Sequence, residues 1–227
     1  MSSKKVIELF YDVVSPYSWL GFEVMCRYRN VWNIDLKLRP AFLGGIMKGA
    51  GNSPKSPGLV PNKFLYMTKD LNPQHVLVLL LKNVSLFLPP TGSLAAMRFV
   101  TAVQERETGG DEQVECVSRE LWRRIWSQDK DITKPESLTE AALKAGLSNR
   151  DIEEALALAT SDKIKEKLKK ATEEALGHGS FGFPVILCHV NGGKEMFFGS
   201  DRFELMAHCI GEKWLGPQPK ELVKTPN

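Results

Sequence analysis

The feature that most constrains this chain is a tight turn from a short apolar strand into a helix. Residues 6–11 are mostly apolar and β-prone, and residues 19–28 carry bulky apolar side chains at helical spacing, so they predict a buried strand and a helix. Between them, Ser15 is a preferred N-cap residue, and Pro16 suits the first helical position, where an N–H is not needed. The sequence therefore predicts a hydroxyl beside free backbone N–H groups, which is a place that favours an anion.

The elements that follow complete an α/β pattern. Residues 35–39 alternate apolar and polar side chains, which predicts a second strand, and the following Pro40 fits an edge strand. Helical patterns then continue as far as Gly177. Residues 184–198 predict two strands joined by a hairpin turn, and a last helix follows them.

The order β-α-β, helices, α-β-β-α is that of a thioredoxin-like fold. We expect an α/β protein in which an all-helical domain is inserted at the middle crossover of the thioredoxin-like sheet. Residues 1–62 and 161–227 are predicted to form the thioredoxin-like domain, and residues 63–160 the inserted domain. Thioredoxin-like folds hold a Cys-x-x-Cys pair at the turn before the first helix. Here the same frame reads Ser15-Pro16-Tyr17-Ser18, so it cannot carry disulfide exchange.

Local signals predict a long loop and several helix starts. Residues 44–61 are rich in Gly, Pro, Ser and Asn, which predicts a loop of the length that tends to be functional. Residues of the N-cap type precede five predicted helices: Ser93, Thr133, Ser148, Ser161 and Asp201. Three of them are followed three residues later by an acidic capping-box partner, in the pairs Thr133–Glu136, Ser148–Asp151 and Asp201–Glu204.

Composition excludes several classes of protein. The 227 residues carry a formal charge of only +3, and no Lys/Arg stripe is interleaved with aromatics, so a nucleic-acid partner is not indicated. The four cysteines lie far apart, which argues against a disulfide scaffold. The four histidines lack the spacing of metal ligands, so no metal is predicted.

Both ends of the chain and its most apolar run bear on location. Met1 to Lys5 lead directly into the first strand, so we expect no signal peptide. The ending Thr225-Pro226-Asn227 is not a peroxisomal tripeptide. Residues 76–81 are strongly apolar but too few to span a bilayer, so no membrane insertion is expected.

Two further places predict a ligand. Phe183-Pro184 precedes a buried strand where thioredoxin-like folds place a cis proline, and a cis bond would turn the Phe183 backbone outward to pair with an extended peptide. At Ser200-Asp201, free N–H groups of a helix start suit a carboxylate, while Asp201 suits an ammonium group. A ligand with an α-amino acid end, a peptide bond and a thiol would engage Ser200 and Asp201, then Phe183, then Ser15. Glutathione is such a ligand.

Taken together, these motifs make the chain closely similar to a known family, the kappa class of glutathione S-transferases. That class is related to bacterial disulfide-bond oxidoreductases and to 2-hydroxychromene-2-carboxylate isomerases. The resemblance extends over nearly the whole chain, and the matching stretches are residues 8–13, 15–21, 45–48, 51–52, 96–99, 118–122, 181–184, 198–202 and 211–214.

The resemblance implies roles for particular residues. Ser15 corresponds to the catalytic hydroxyl of the class. Glutathione, the co-substrate, is expected to be held by a set that combines backbone and side-chain groups: Ser15, Pro16, Tyr17, Asn52, Lys63, Phe183, Pro184, Ser200 and Asp201. The resemblance also implies a homodimer and a location in the mitochondrial matrix, with the peroxisome and the cytosol as alternatives.

The expected chemistry is activation of the glutathione thiol. A free thiol has a pKa of about 8.5, and a helix N-terminus with a donor hydroxyl lowers it. The thiolate would attack an aryl halide or similar electrophile, or reduce a hydroperoxide, with Ser15 as hydrogen-bond donor. Two alternatives stay open at this point. One is a glutathione-dependent isomerase of the hydroxychromene carboxylate type, and the other is a non-catalytic peptide-binding or chaperone-like module.

Overall fold

A four-stranded mixed sheet lies at the centre of the thioredoxin-like part of the fold. The computed structural model describes residues 3–52, 60–71, 92–106 and 110–219. The strands lie in the order β2-β1-β3-β4. They are β1 (Lys5–Tyr11), β2 (Ile34–Pro40), β3 (Val185–Val190) and β4 (Gly193–Phe198). β1 and β2 pair in parallel, whereas β1–β3 and β3–β4 are antiparallel.

Helices cover both faces of this sheet and form a separate packed group. They are α1 (Pro16–Tyr28), α2 (Leu43–Gly49), α3 (Pro61–Asp70), α4 (Leu94–Glu105), α5 (Asp111–Gln128), α6 (Pro135–Lys144), α7 (Asn149–Ala159), α8 (Asp162–Gly177) and α9 (Phe203–Ile210). The order β-α-β, helices, α-β-β-α confirms the thioredoxin-like prediction. The proposed domain limits stay a prediction, and the limit at residues 62 and 63 lies inside α3. No helix among the described residues is long and apolar enough to cross a membrane.

The central strand β1 is buried on both faces, which explains its nearly continuous apolar sequence. Because side chains alternate along a strand, Ile7, Leu9 and Tyr11 enter the larger core, which α1, α9 and the inserted helices share. Phe10 faces the opposite way, into a smaller core with residues of α2 and α8. The turn that follows β1 is therefore fixed from two sides.

An aromatic cluster joins the inserted helices to α1. The fully buried Trp122 of α5 lies against Trp19, with parallel rings 6.1 Å apart between centroids, and against the edge of Phe22 at 4.9 Å. Tyr11 completes the cluster, and its hydroxyl is 2.8 Å from the Ser118 hydroxyl of α5. Burying aromatic side chains of this size contributes roughly 1.5–3 kcal/mol each. The start of α1 is thus held by residues more than a hundred positions away.

One predicted loop is partly helical. The loop expected at residues 44–61 begins with helix α2, and residues 53–59 of it lie outside the described residues. The glycines of α2 serve close packing. A Cβ at Gly45 would lie 2.9 Å from Thr172 Cγ2, and one at Gly49 would lie 2.6 Å from a Leu176 methyl group. Glycine content here reflects the approach of α2 to α8, so it was misleading as a loop signal.

Two predicted helix starts are confirmed. Ser148 forms a reciprocal capping box with Asp151 at the start of α7. Ser161 accepts a hydrogen bond from the Ile164 N–H at the start of α8. In both cases the partner lies three residues after the serine, so the bond could be predicted from the local sequence.

At two other predicted caps the hydroxyl has a different partner. Ser93 is the N-cap residue of α4, as predicted, but its hydroxyl makes no capping bond and donates to the Asp12 carboxylate at 2.7 Å. The Thr133 hydroxyl donates to Asp131 at 2.6 Å, and the N-cap residue of α6 is Lys134. In both cases the hydroxyl donates its proton to a carboxylate, which is a strong hydrogen-bond acceptor.

Candidate active site

Ser15 lies where the sequence predicts, at the N-cap of α1. Its hydroxyl oxygen accepts a hydrogen bond from the Ser18 N–H at 3.1 Å, and its own proton points to the Phe183 carbonyl oxygen at 3.4 Å. The residue is 5% exposed. The second contact is longer than the usual 2.7–2.8 Å of an O–H···O bond, so it is weak and easily exchanged.

The carbonyl of Ser15 is also fixed. It accepts one hydrogen bond from the Trp19 N–H at 3.2 Å, the first of helix α1. It accepts a second from the Trp122 indole N–H of α5 at 3.0 Å. This second donor comes from the inserted helices, and the sequence analysis did not predict it.

The Phe183-Pro184 peptide bond is cis, as expected. Pro184 lies directly against α1, because a Cβ placed on Gly21 would be 3.1 Å from Pro184 Cγ and 3.9 Å from Ser200 Cβ. The Pro184 carbonyl accepts the Gly199 N–H at 3.0 Å. Glycine at position 21 therefore lets α1, the proline and the Ser200 turn meet closely, as a single ligand would require.

Asp201 does not cap the last helix, although the sequence predicts that it does. Helix α9 begins at Phe203 with Arg202 as its N-cap residue and no side-chain cap, so the Asp201–Glu204 capping box is wrong. The reason is the turn at Gly199, whose φ of 96° leads the chain away before the helix begins. The Asp201 side chain is 77% exposed, with its carboxylate 3.8 Å from Arg202 Nε. It is thus an acidic group available to a ligand.

Asn52 joins the end of α2 to the segment before Pro184. Its side-chain amide donates to the Phe181 carbonyl at 2.7 Å, and the positive φ of 67° at Gly51 allows the turn that brings it there. Asn52 is exposed, so the remaining amide oxygen can accept a bond from a ligand.

Tyr17 and Lys63 lie further from the serine hydroxyl. The Tyr17 hydroxyl donates to Asp70 of α3 at 2.8 Å, and burial raises the pKa of Tyr17, so the phenol stays protonated. This contact holds α3 beside α1. Lys63 is exposed in the first turn of α3, and within the described ranges it makes no hydrogen bond or ion pair with the other predicted site residues.

Asp12 is a functional candidate that the sequence analysis missed. It is fully buried, and its carboxylate accepts the Val14 N–H at 2.9 Å, the Leu43 N–H at 2.8 Å and the Ser93 hydroxyl at 2.7 Å. Burial raises the pKa of Asp12 to about 6, although the three hydrogen bonds act in the opposite direction. An acidic residue directly after a buried strand and three positions before Ser15 was the available signal.

Ser18 fills the second cysteine position of the frame. It is fully buried, and no described residue makes a hydrogen bond with its hydroxyl. The four cysteines are free, and none lies in the frame. No group of three or more His, Cys, Asp or Glu side chains placed to hold a metal ion occurs in residues 3–52, 60–71, 92–106 or 110–219. The chemistry available here is stabilisation of a bound anion.

A separate cleft lies away from Ser15. A cavity of about 800 Å³ follows the open edge of β2 between α4 and α8, and none of the predicted site residues lines it. Its charged walls are largely paired within the protein, as in Lys167–Glu105 and Arg39–Glu174. The Ser15 groove is therefore the better candidate site, because its hydroxyl and backbone groups converge without strong partners.

Comparisons with known proteins agree with this geometry. A family model described as DSBA-like thioredoxin domain matches residues 6–211. Glutathione S-transferase kappa 1 from Homo sapiens is 50% identical over 219 residues, covering 95% of each chain. The protein of that name from Rattus norvegicus is 47% identical and covers 96% of each. A solved 2-hydroxychromene-2-carboxylate isomerase has a TM-score of 0.69 at 18% identity, covering 91% of this chain and 94% of its own, which shows a shared fold.

The raised pKa of Asp12 predicts a pH dependence of stability. The folded protein holds this proton up to about pH 6, whereas an unfolded carboxyl releases it near 3.8. The native state therefore binds more protons in that window, and its stability falls as the pH rises through it, by up to about 3 kcal/mol. Urea unfolding at several pH values should show this loss in wild type and its absence in Asp12→Asn. Asp35→Asn, on edge strand β2 with a side chain 41% exposed, is the control, and equal pH slopes in wild type and Asp12→Asn would contradict the assignment.

Proposed function

This chain belongs to the kappa class of glutathione S-transferases, and we propose that its Ser15 site activates the glutathione thiol for attack on electrophilic carbon. The observation that carries the proposal is the position of the Ser15 hydroxyl. It caps α1, and its proton is held only by the 3.4 Å contact with the Phe183 carbonyl. A hydroxyl so placed can turn to a thiolate at little energetic cost.

Binding of glutathione would exchange these contacts. An N–H of the extended peptide takes the Phe183 carbonyl, which releases the Ser15 proton for the sulfur. The Phe183 N–H has no hydrogen-bond partner among the described residues, so it can donate to a carbonyl of the same ligand. One end of the ligand would then reach the Ser200 turn, which Gly21 and Pro184 bring against α1.

The other ligand contacts follow from charge. The exposed Asp201 carboxylate suits the ammonium group of the γ-glutamyl end. Asn52 lies beside the Phe181 carbonyl, whereas Lys63 lies in α3, which Tyr17 holds through Asp70. An exposed lysine there suits the carboxylate of the glycine end.

The proposed reaction needs no protein base at Ser15. The thiol proton leaves to solvent, the sulfur lone pair forms the S–C bond, and halide departs from an aryl halide. Ser15 donates a hydrogen bond to the sulfur throughout, because its hydroxyl contacts are an N–H and a carbonyl, neither of which can take its proton. Reduction of a hydroperoxide would begin with the same thiolate.

The first test removes the hydroxyl. Ser15→Ala should lower kcat for conjugation of a chloronitrobenzene by roughly 10²–10³-fold, with a smaller change in glutathione affinity, because one main anion donor is lost. The matched control is Ser161→Ala, which removes an equivalent N-cap from α8 far from the site. Both variants should lose about 1 kcal/mol of stability, and only the first should lose activity.

Other results would assign the thiolate-stabilising role to another group or favour one of the two alternative functions. A fully active Ser15→Ala would assign thiolate stabilisation to Ser18 or to backbone N–H groups. Wild type that isomerises a hydroxychromene carboxylate but forms no conjugate would favour the isomerase. Wild type that binds glutathione or peptides without turnover would favour the binding module.

A second test concerns Asp201. Asp201→Asn keeps the side-chain shape but removes the charge that faces the ligand ammonium. Because the carboxylate is largely exposed, the pair is worth about 1 kcal/mol, so calorimetry should show roughly a fivefold loss of glutathione affinity. Asp162→Asn, in the first turn of α8 with a side chain 95% exposed, should leave affinity unchanged. Unchanged affinity in Asp201→Asn would mean that glutathione binds in another orientation.

We also propose a homodimer. Phe181 and Phe198 make a tilted ring contact with 4.2 Å between centroids yet stay 49% and 36% exposed, and Leu205 of α9 is 58% exposed. Phe198 and Leu205 flank Asp201 in sequence, so an isologous contact there would place the partner subunit beside the ligand site. Sedimentation velocity at micromolar concentration should give twice the chain mass of 25.4 kDa. A single species of that chain mass would reject the dimer.

A further inference from the structure

The hydrogen bond from the inserted helices to the Ser15 carbonyl points to a second residue on which the reaction depends. We infer that Trp122 is a positioning residue for Ser15, and that its indole N–H helps to set the acidity of the bound thiol. The inference rests on the proposed function, because it concerns the thiol that Ser15 stabilises. Trp122 touches neither the ligand groove nor the hydroxyl, so it acts through the serine backbone.

The geometry of this contact is that of a strong neutral hydrogen bond. The indole N–H of Trp122 lies 3.0 Å from the Ser15 carbonyl oxygen, and the residue is fully buried. The same oxygen already accepts the Trp19 N–H at 3.2 Å. Two donors on one carbonyl fix the plane of the peptide that joins Ser15 to Pro16, and with it the direction of the Ser15 side chain.

The ring of Trp122 cannot easily move. It lies parallel to Trp19 of α1 and meets the edge of Phe22 and the tilted ring of Tyr11. Interiors packed in this way allow few alternative side-chain positions. The N–H therefore stays aimed at the carbonyl while ligands enter and leave the groove.

A change in the Ser15 direction matters because the hydroxyl has two competing partners. It can point to the Phe183 carbonyl, as in the present structure, or to the sulfur of a bound ligand. A tilt of the peptide plane changes the distance to both. The positive end of the N–H dipole also offsets the negative partial charge of the carbonyl oxygen.

Each charged or titratable group around this contact has a hydrogen-bond or ion-pair partner other than Trp122. They are Tyr11 of β1, Asp12 of the turn, Tyr17 and Glu23 of α1, and Arg119 of α5. Asp12 accepts from Ser93, Tyr17 donates to Asp70, and Glu23 pairs with Arg119 at 2.8 Å. A shift in the pH profile of a Trp122 variant would therefore report the ligand thiol.

The experiment replaces the N–H and keeps a ring. In Trp122→Phe, the apparent pKa of the bound glutathione thiol should rise by about 0.5 to 1, the scale of one neutral hydrogen bond. It is measured by ultraviolet absorbance of the thiolate in the binary complex and by the pH profile of kcat/KM. Below that pKa, kcat/KM should fall roughly three- to tenfold, with KM for the electrophile little changed.

A matched control is available just beyond the C-terminal end of α1, the helix that Ser15 caps. Trp32 is also buried, and its indole N–H donates to the Lys213 carbonyl at 2.9 Å, beside Tyr28 at the end of α1. Trp32→Phe therefore loses the same kind of bond and ring volume away from Ser15. It should lose similar stability and keep the wild-type thiol pKa.

A second substitution separates the N–H from the packing. 3-Benzothienylalanine incorporated at position 122 keeps two fused rings but replaces the N–H with sulfur. A raised thiol pKa in this protein supports the inference, even if Trp122→Phe does not fold. A wild-type thiol pKa in it overturns the inference and leaves the proposed function intact. Wild type that binds no glutathione overturns both.

Discussion

The structure depends on one buried carboxylate at the point where its parts meet. Asp12 accepts hydrogen bonds from the turn after β1, from the first residue of α2 and from Ser93 before α4. A buried charge without partners would be strongly destabilising, and these three donors offset its loss of water. They also belong to segments far apart in sequence, so satisfying the charge assembles the walls around Ser15.

The site contains two kinds of group: buried groups with strong hydrogen bonds, and groups with weak contacts that a ligand could replace. Asp12 and Trp122 are buried and hydrogen-bonded, so they hold the backbone of the turn in one place. The groups that would face a ligand are weakly engaged: the Ser15 proton has a 3.4 Å contact, and Asp201 is exposed. A rigid frame with loosely held donors favours binding, because little must be broken when the ligand arrives.

Local signals made the central turn predictable, whereas side-chain partners that lie far away in the sequence could not be predicted. The pairing of Ser15 as N-cap with Pro16 at the first helical position could be inferred from four residues, and the structure has both. Ser93 is the N-cap residue that the sequence predicts, but its neighbours give no sign that its hydroxyl binds Asp12, which lies 81 positions away. Trp122 looked like ordinary core, since its stripe on α5 gives no hint that its N–H reaches Ser15. Membership of the kappa class is shown, whereas the compartment stays a prediction.

The serines of the frame explain why this site needs a sulfur from outside. A serine hydroxyl does not ionise near neutral pH, so Ser15 cannot itself be the nucleophile in the absence of a base. What the frame keeps is an environment that suits a thiolate: the N-terminus of a helix, a donor hydroxyl and a second hydroxyl at the buried Ser18. In a protein with two cysteines here, that environment would stabilise the protein's own thiolate. With two serines, this environment can stabilise only the thiolate of a bound ligand. The position that serves disulfide exchange in proteins with two cysteines can then serve transfer of the ligand's sulfur to an electrophile.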